Sequence, residues 1–109
     1  MDKLEKLIEM QRGLASALAS SRYPSKTEER ISFLCTAITH EAIELQRLTN
    51  WKWWKNPTEF DFEEAKEELI DIWHFLLQAT IELNMTPDDI LKYYSKKNKI
   101  NKKRKKMNY

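Results

Sequence analysis

The hydrophobic positions along this chain recur at helical spacing. Leu4, Leu7, Ile8, Gln11, Leu14, Ala15 and Leu18 follow the i, i+3, i+4 rhythm of one face, so a first helix is expected from about Asp2 to Ala19. Ser20, Ser21, Tyr23, Pro24 and Ser25 break it. A second helix is expected from near Thr27, with Thr27 as its cap, and with Ile31, Leu34, Ile38, Leu45 and Leu48 on its apolar face. At 100° per residue, Glu41 falls inside that stripe and Glu44 at its edge. The aromatic run Trp51-Lys52-Trp53-Trp54-Lys55 reads as a connection. A third helix, about Phe62 to Leu83, is apolar on two sides: Leu69, Ile72, Phe75, Leu76 and Ala79 on one, and Ile70, Leu77 and Ile81 on the other. A helix of that kind needs cover all round. Glu68 and Asp71 lie on its first apolar side. Thr86, Pro87, Asp88 and Asp89 then have the order of a helix start, and a fourth helix is expected to run as far as Arg104.

Composition narrows this to one all-α domain over residues 1–109. One Gly and three Pro in 109 residues are too few for a turn-rich sheet fold. A single unit of this size is marginally stable, so a four-helix, bundle-type unit that dimerises is expected. No apolar run approaches the ~20 residues of a membrane span, and the N-terminus lacks the apolar core of a signal peptide. The one cysteine, Cys35, is expected to be a small buried residue. A cytoplasmic setting is expected, with no membrane partner. The net charge of +2 is unevenly placed. Eight basic residues and no acid occupy positions 96–106, within a basic tail spanning 96–109, while the remainder carries 11 basic residues against 17 acidic.

Two acidic pairs at three-residue spacing, Glu41/Glu44 and Glu68/Asp71, each project from one helix face. Carboxylates on core-facing positions repel and lose hydration. A hard divalent cation removes that conflict, and Mg²⁺ (with Mn²⁺ as a substitute) takes oxygen ligands. Paired carboxylates on facing helices are a recurring way to build a metal site in a bundle. The same acids would be unremarkable on a solvated face. Lys97, Asn98, Asn101 and Arg104 also share one helix face, where Arg and Lys can hold phosphate, though a lysine-rich tail can equally be a solvated one. Gln11, on the apolar stripe of the first helix, calls for hydrogen-bond partners. Trp51 offers a stacking surface, Lys52 and Lys55 reach toward phosphates, and His74 stands three residues beyond Asp71 as either a pocket-lining or a structural histidine.

Taken in order, His40-Glu41-Ala42-Ile43-Glu44, Trp51-Lys52-Trp53-Trp54-Lys55, Glu68-Leu69-Ile70-Asp71-Ile72-Trp73-His74-Phe75 and Lys97-Asn98-Lys99-Ile100-Asn101-Lys102-Lys103-Arg104 resemble the dimeric all-α dUTPase family, within the MazG-like pyrophosphohydrolase superfamily. The resemblance spans roughly residues 7–109. It implies that Glu41, Glu44, Glu68 and Asp71 bind Mg²⁺ and carry catalysis, and that Lys97, Asn98, Asn101 and Arg104 bind the substrate phosphates; one of the glutamates can serve as general base, with Glu44 the candidate. It further implies hydrolysis of dUTP, and of dUDP, to dUMP. Two positions depart from the family pattern: Ala15 stands where an Asn is usual after Gln11-Arg12-Gly13-Leu14, and Asn108 stands where a Gly precedes the final Tyr109. A MazG-like enzyme of broader nucleotide range is the near alternative. A non-catalytic helical protein binding nucleic acid through its basic tail is the alternative of another class, and nucleic acid is not the expected partner. The chain has no Gly-rich phosphate loop, which excludes a Walker-type ATPase.

Overall fold

A computed structural model describes residues 2–107 and contains four α-helices, with no strand among the described residues. The helices are α1 (Lys3–Ala17), α2 (Thr27–Gln46), α3 (Phe62–Glu82) and α4 (Pro87–Lys106). The expected tail residues Asn108 and Tyr109 lie outside the described residues. Local chemistry sets most boundaries. Asp2 caps α1 by accepting from the Glu5 N–H at 2.8 Å, and Asp61 caps α3 by accepting from the Glu64 N–H at 3.1 Å. Thr27 does not cap α2; it is the first helical residue, and Lys26 precedes it with no side-chain cap. Thr86 does cap α4, with Pro87 in the first turn. Its hydroxyl accepts from the Asp89 N–H while Asp89 accepts from the Thr86 N–H.

The turn between α3 and α4 is short because α3 ends in a Schellman motif. Asn84 takes a left-handed backbone, φ 54°. Its N–H bonds to the Ile81 carbonyl, and the Met85 N–H reaches back to the Thr80 carbonyl. Asn is among the few residues other than Gly that adopt this conformation at little cost. The longer α2–α3 connection is closed by Asn50, whose side chain both donates to the Thr58 carbonyl and accepts from the Thr58 N–H, each at 2.9 Å.

Helix α3 is the central element: α2 packs along it most extensively and α1 beside it. Helix α4 does not pack comparably on the other three. At 20 residues it is about 30 Å long, and it makes the chain open. The radius of gyration is 17.3 Å, against about 13 Å for a compact domain of this length. Ile8, Leu34, Ala65 and Leu77 form the buried apolar centre, joined by the polar Gln11 and Gln78. No large side chain among the described residues is completely enclosed. One side of α3 stays uncovered, with Leu69, Ile70, Trp73 and Leu76 each at least 42% exposed, and Leu91 and Tyr94 of α4 are more so. Cys35, expected inside, is exposed. It lies one position past Leu34, the buried residue of α2, and so turns off the stripe that meets α3.

Candidate metal and nucleotide site

The pairing of α2 with α3 brings three of the acids together. Carboxylate oxygens of Glu41, Glu44 and Glu68 all lie within 4.8 Å of one another. Asp71 is outside that close group, but its charge acts on both Glu41 and Glu68, and it lines a cavity with Glu41. Glu44 and Asp71 are exposed, whereas Glu41 and Glu68 are half-buried. Glu41 and Glu68 each hold one oxygen, Oε2, shielded from solvent and without a hydrogen-bond partner. A buried carboxylate oxygen with no donor is costly. Burial, followed by the neighbouring charges of Glu44, Asp71 and Glu68, pushes the Glu41 carboxyl above its ordinary value. Burial, followed by Glu44, Asp71, Glu64 and Glu67, does the same to Glu68. A small hard cation fits this set of donors: it supplies positive charge where like charges converge and engages oxygens that no protein group satisfies.

Glu41 and Asp71 border a cavity of about 650 Å³, a size usual for small-molecule sites. Its walls come from Leu14 and Leu18 of α1, Phe33 and Leu34 of α2, and Phe75 of α3, with Tyr23 and Pro24 of the α1–α2 connection. Its polar lining includes Ser20 and Arg22 besides Gln11, His74 and Gln78, and the last three meet one another. Gln11 Nε2 donates to Gln78 Oε1 at 3.0 Å, and Gln11 Oε1 lies 3.0 Å from His74 Nδ1. Glu41, Asp71 and the amide–imidazole group therefore share one largely apolar hollow, an arrangement able to hold a flat polar ring beside a charged group.

A family model described as dUTPase matches residues 3–88. The chain belongs to the all-α dUTPase family. No individually characterised protein and no solved structure gives a significant match. Membership of the dUTPase family implies a hydrolase that acts on dUTP, so a nucleotide is the substrate, and the four-helix, strand-free architecture agrees with the family's all-α fold. The matched segment contains both acidic pairs, the tryptophan run and the whole cavity lining, and it ends at the second residue of α4.

Other residues singled out in the sequence lie elsewhere. Trp51, Lys52 and Lys55 are exposed in the α2–α3 connection and do not line the cavity. Trp54 stands edge-on to both Trp51 and Trp53, at 5.9 and 5.6 Å, and Lys52 lies over the Trp51 ring. Lys97, Asn98, Asn101 and Arg104 are exposed on α4, a helix that does not pack extensively on α2 or α3, where the acids lie. Conversely, the sequence did not point to Tyr23, Arg30, Gln78 and Glu82. Arg30 Nη1 pairs with Glu82 Oε2 at 3.0 Å, Tyr23 Oη donates to Glu82 Oε1 at 3.3 Å, and Gln78 Nε2 donates to the same oxygen at 2.8 Å. Burial works to raise the Glu82 carboxyl, but the hydrogen bonds from Arg30 and Gln78 and the charge of Arg30 outweigh it and hold Glu82 below its ordinary value. Burial and the Glu82 charge push the Tyr23 hydroxyl up. A signal was present: His74, Gln78 and Glu82 recur every four residues on a helix rich in apolar side chains, which places three polar groups in one row.

Proposed function

We propose that this chain is a Mg²⁺-dependent dUTP diphosphatase, converting dUTP and water to dUMP and pyrophosphate, and dUDP to dUMP and phosphate. The observation that carries the reading is the cluster of Glu41, Glu44 and Glu68, with its two unsatisfied carboxylate oxygens, at the edge of the cavity that holds Gln11 and His74. Glu41, Glu44, Glu68 and Asp71 would hold the metal, with Mn²⁺ able to substitute. When bound, the metal supplies charge neutralisation at the phosphate oxygens and a more acidic water. Glu44, the exposed member of the close cluster, takes the proton of the attacking water as general base. Gln11 and His74 orient the base within the hollow, and the apolar wall around Leu14, Phe33 and Phe75 keeps water from it.

Phosphate binding by Lys97, Asn98, Asn101 and Arg104 calls for a second copy of the chain in this reading, because α4 does not pack extensively on the helices that carry the acidic cluster. The uncovered face of α3 and the apolar residues of α4 support a homodimer, in which α4 of one protomer serves the site of its partner. Lys52 and Lys55 approach the phosphates in the same assembly. The test is a substrate panel: each deoxynucleoside triphosphate, and dUDP, incubated with the protein and Mg²⁺, with pyrophosphate and phosphate measured. Pyrophosphate from dUTP alone is the expected result. Release from several nucleotides would point to the broader MazG-like enzyme. Release from none, with salt-sensitive DNA binding, would sink the enzymatic reading.

A further inference from the structure

The polar groups at the rim of the cavity form one continuous chain, and only one of its ends is chemically unambiguous. Glu82 is that end. Its carboxylate pairs with Arg30 at 3.0 Å and can only accept hydrogen bonds. The side-chain amide of Gln78 must therefore turn its NH₂ toward Glu82, at 2.8 Å, because the opposite orientation would set a carbonyl oxygen against a carboxylate oxygen. This leaves the Gln78 carbonyl facing Gln11, so the Gln11 NH₂ must face it, at 3.0 Å. The Gln11 carbonyl is then the group 3.0 Å from His74 Nδ1, and that nitrogen must carry the proton. Both amides are more than nine-tenths buried, so water does not readily reverse either of them.

We propose that Glu82 is a positioning residue: through Gln78 and Gln11 it selects the Nδ1–H tautomer of the uncharged His74 ring, the form that leaves Nε2 as a bare acceptor for a ring N–H of the bound base. Neither Glu82 nor Arg30 lines the cavity; Glu82 reaches it through Gln78 and also through Tyr23, and of these two only Gln78 leads on to His74. The polarity also limits what the site reads. Gln11 and Gln78 have spent the atoms that face each other and His74, and the imidazole supplies an acceptor and no donor. A base edge with an N–H matches it, and an edge that offers only a lone pair there does not. The tautomer follows from this chain's own geometry. Its use in base reading rests on the dUTPase function proposed above.

Two measurements separate these layers. The chain has two histidines, so in a His40→Gln background the ¹⁵N resonances of the imidazole belong to His74. In the metal-free full chain, at a pH where the ring is neutral, Nδ1 should resonate as the protonated nitrogen and Nε2 as the bare one. Gln78→Met removes the relay and should abolish that preference. Glu82→Gln replaces an obligate acceptor by a group that can also donate, and should give a mixture of tautomers. A bare Nδ1 in the parent, or an unchanged Nδ1–H form in both variants, would overturn the proposal. Far-UV circular dichroism establishes that each variant folds, and the nearly isosteric Glu82→Gln decides the matter if Gln78→Met does not. In turnover, Gln78→Met should raise the KM for dUTP about tenfold with kcat nearly kept, as for loss of one hydrogen bond to the base. An unchanged KM would refute the base-reading role. If the parent shows the expected tautomer but does not hydrolyse dUTP, the functional assignment fails while the polarity of the chain stands.

Discussion

Replacing Arg30 with Met should destabilise the protein by about 2–3 kcal/mol at neutral pH. Arg30 pairs with Glu82 at 3.0 Å, with the Glu82 side chain 9% exposed and that of Arg30 33% exposed. Removing one member of a fully buried pair costs about 3–5 kcal/mol, because the other charge is left uncompensated. Two features reduce that here: Arg30 is a third in solvent, and Tyr23 and Gln78 continue to donate to Glu82 in the variant. The lost charge-assisted bond then accounts for about 1.5–2 kcal/mol. The guanidinium also stacks 4.7 Å from the Tyr23 ring centroid, an interaction of about 0.5–1 kcal/mol. Met keeps most of the aliphatic stem, so packing loss adds little. Urea unfolding followed by tryptophan fluorescence reads the change, at one protein concentration so that self-association contributes equally. With a slope of about 1.5 kcal/mol per molar for a domain of this size, the midpoint should fall by over 1 M, roughly. The pH dependence gives a second check. Glu82 has a lowered carboxyl value in the fold, so its contribution is present above the ordinary value of 4.5 and is lost as pH falls through the lowered one. The gap between parent and variant should therefore be level at neutral pH and close on acidification. A midpoint shift under about 0.3 M, or a gap that widens in acid, would show that Glu82 does not depend on Arg30.

Glu68→Gln should cut dUTP turnover about 100-fold, since it removes an oxygen from the proposed metal site, yet raise the melting temperature in metal-free buffer, because Glu68 has a raised carboxyl value and its charged form is disfavoured in the fold; a variant that melts lower in EDTA would contradict the repulsion. Adding Mg²⁺ to the parent should raise the melting temperature by several degrees once the ion is well above its dissociation constant, and Glu68→Gln should respond much less. Calorimetric or fluorescence melts with and without EDTA decide both points. Thr86→Ala should cost about 1 kcal/mol by breaking the capping box of α4, visible as lost helicity in far-UV circular dichroism. Hydrogen bonds from the Thr86 backbone and hydroxyl hold Asp89 below its ordinary value, so the helix start should also weaken as pH falls through that lowered value; helicity that rises in acid would contradict the cap.

Much of this protein is legible as a linear pattern. Helix positions follow from 3.6-residue periodicity and from caps such as Thr86 with Pro87, because both are local properties of the backbone. The acidic pairs are legible for the same reason: three-residue spacing places Glu41 with Glu44, and Glu68 with Asp71, on one face before any packing is considered. Position on an apolar stripe is a weaker guide. Cys35, expected to be buried, is exposed, since the angle at which α2 meets α3 is not written in the periodicity of α2 alone.

Tertiary structure decided which polar groups meet. Gln11 and Gln78 are 67 residues apart and Arg30 and Glu82 are 52 apart, separations at which no local rule pairs side chains. Only the packing of α1 and α2 on α3 shows that a buried amide of α1 lies against an imidazole, and that Gln78 links that amide to a carboxylate at the far end of α3. Packing also separates residues that sequence order groups together. The basic face of α4 follows the acids along the chain, but after the Schellman turn at Asn84 α4 does not pack extensively on the other helices and leaves an apolar side of α3 bare. The sequence by itself determined the helices, the acidic pairs and the family motifs, all of which depend on neighbours in the chain. The cavity, the unsatisfied oxygens of Glu41 and Glu68, and the polarity of the chain reaching His74 depend on neighbours in space.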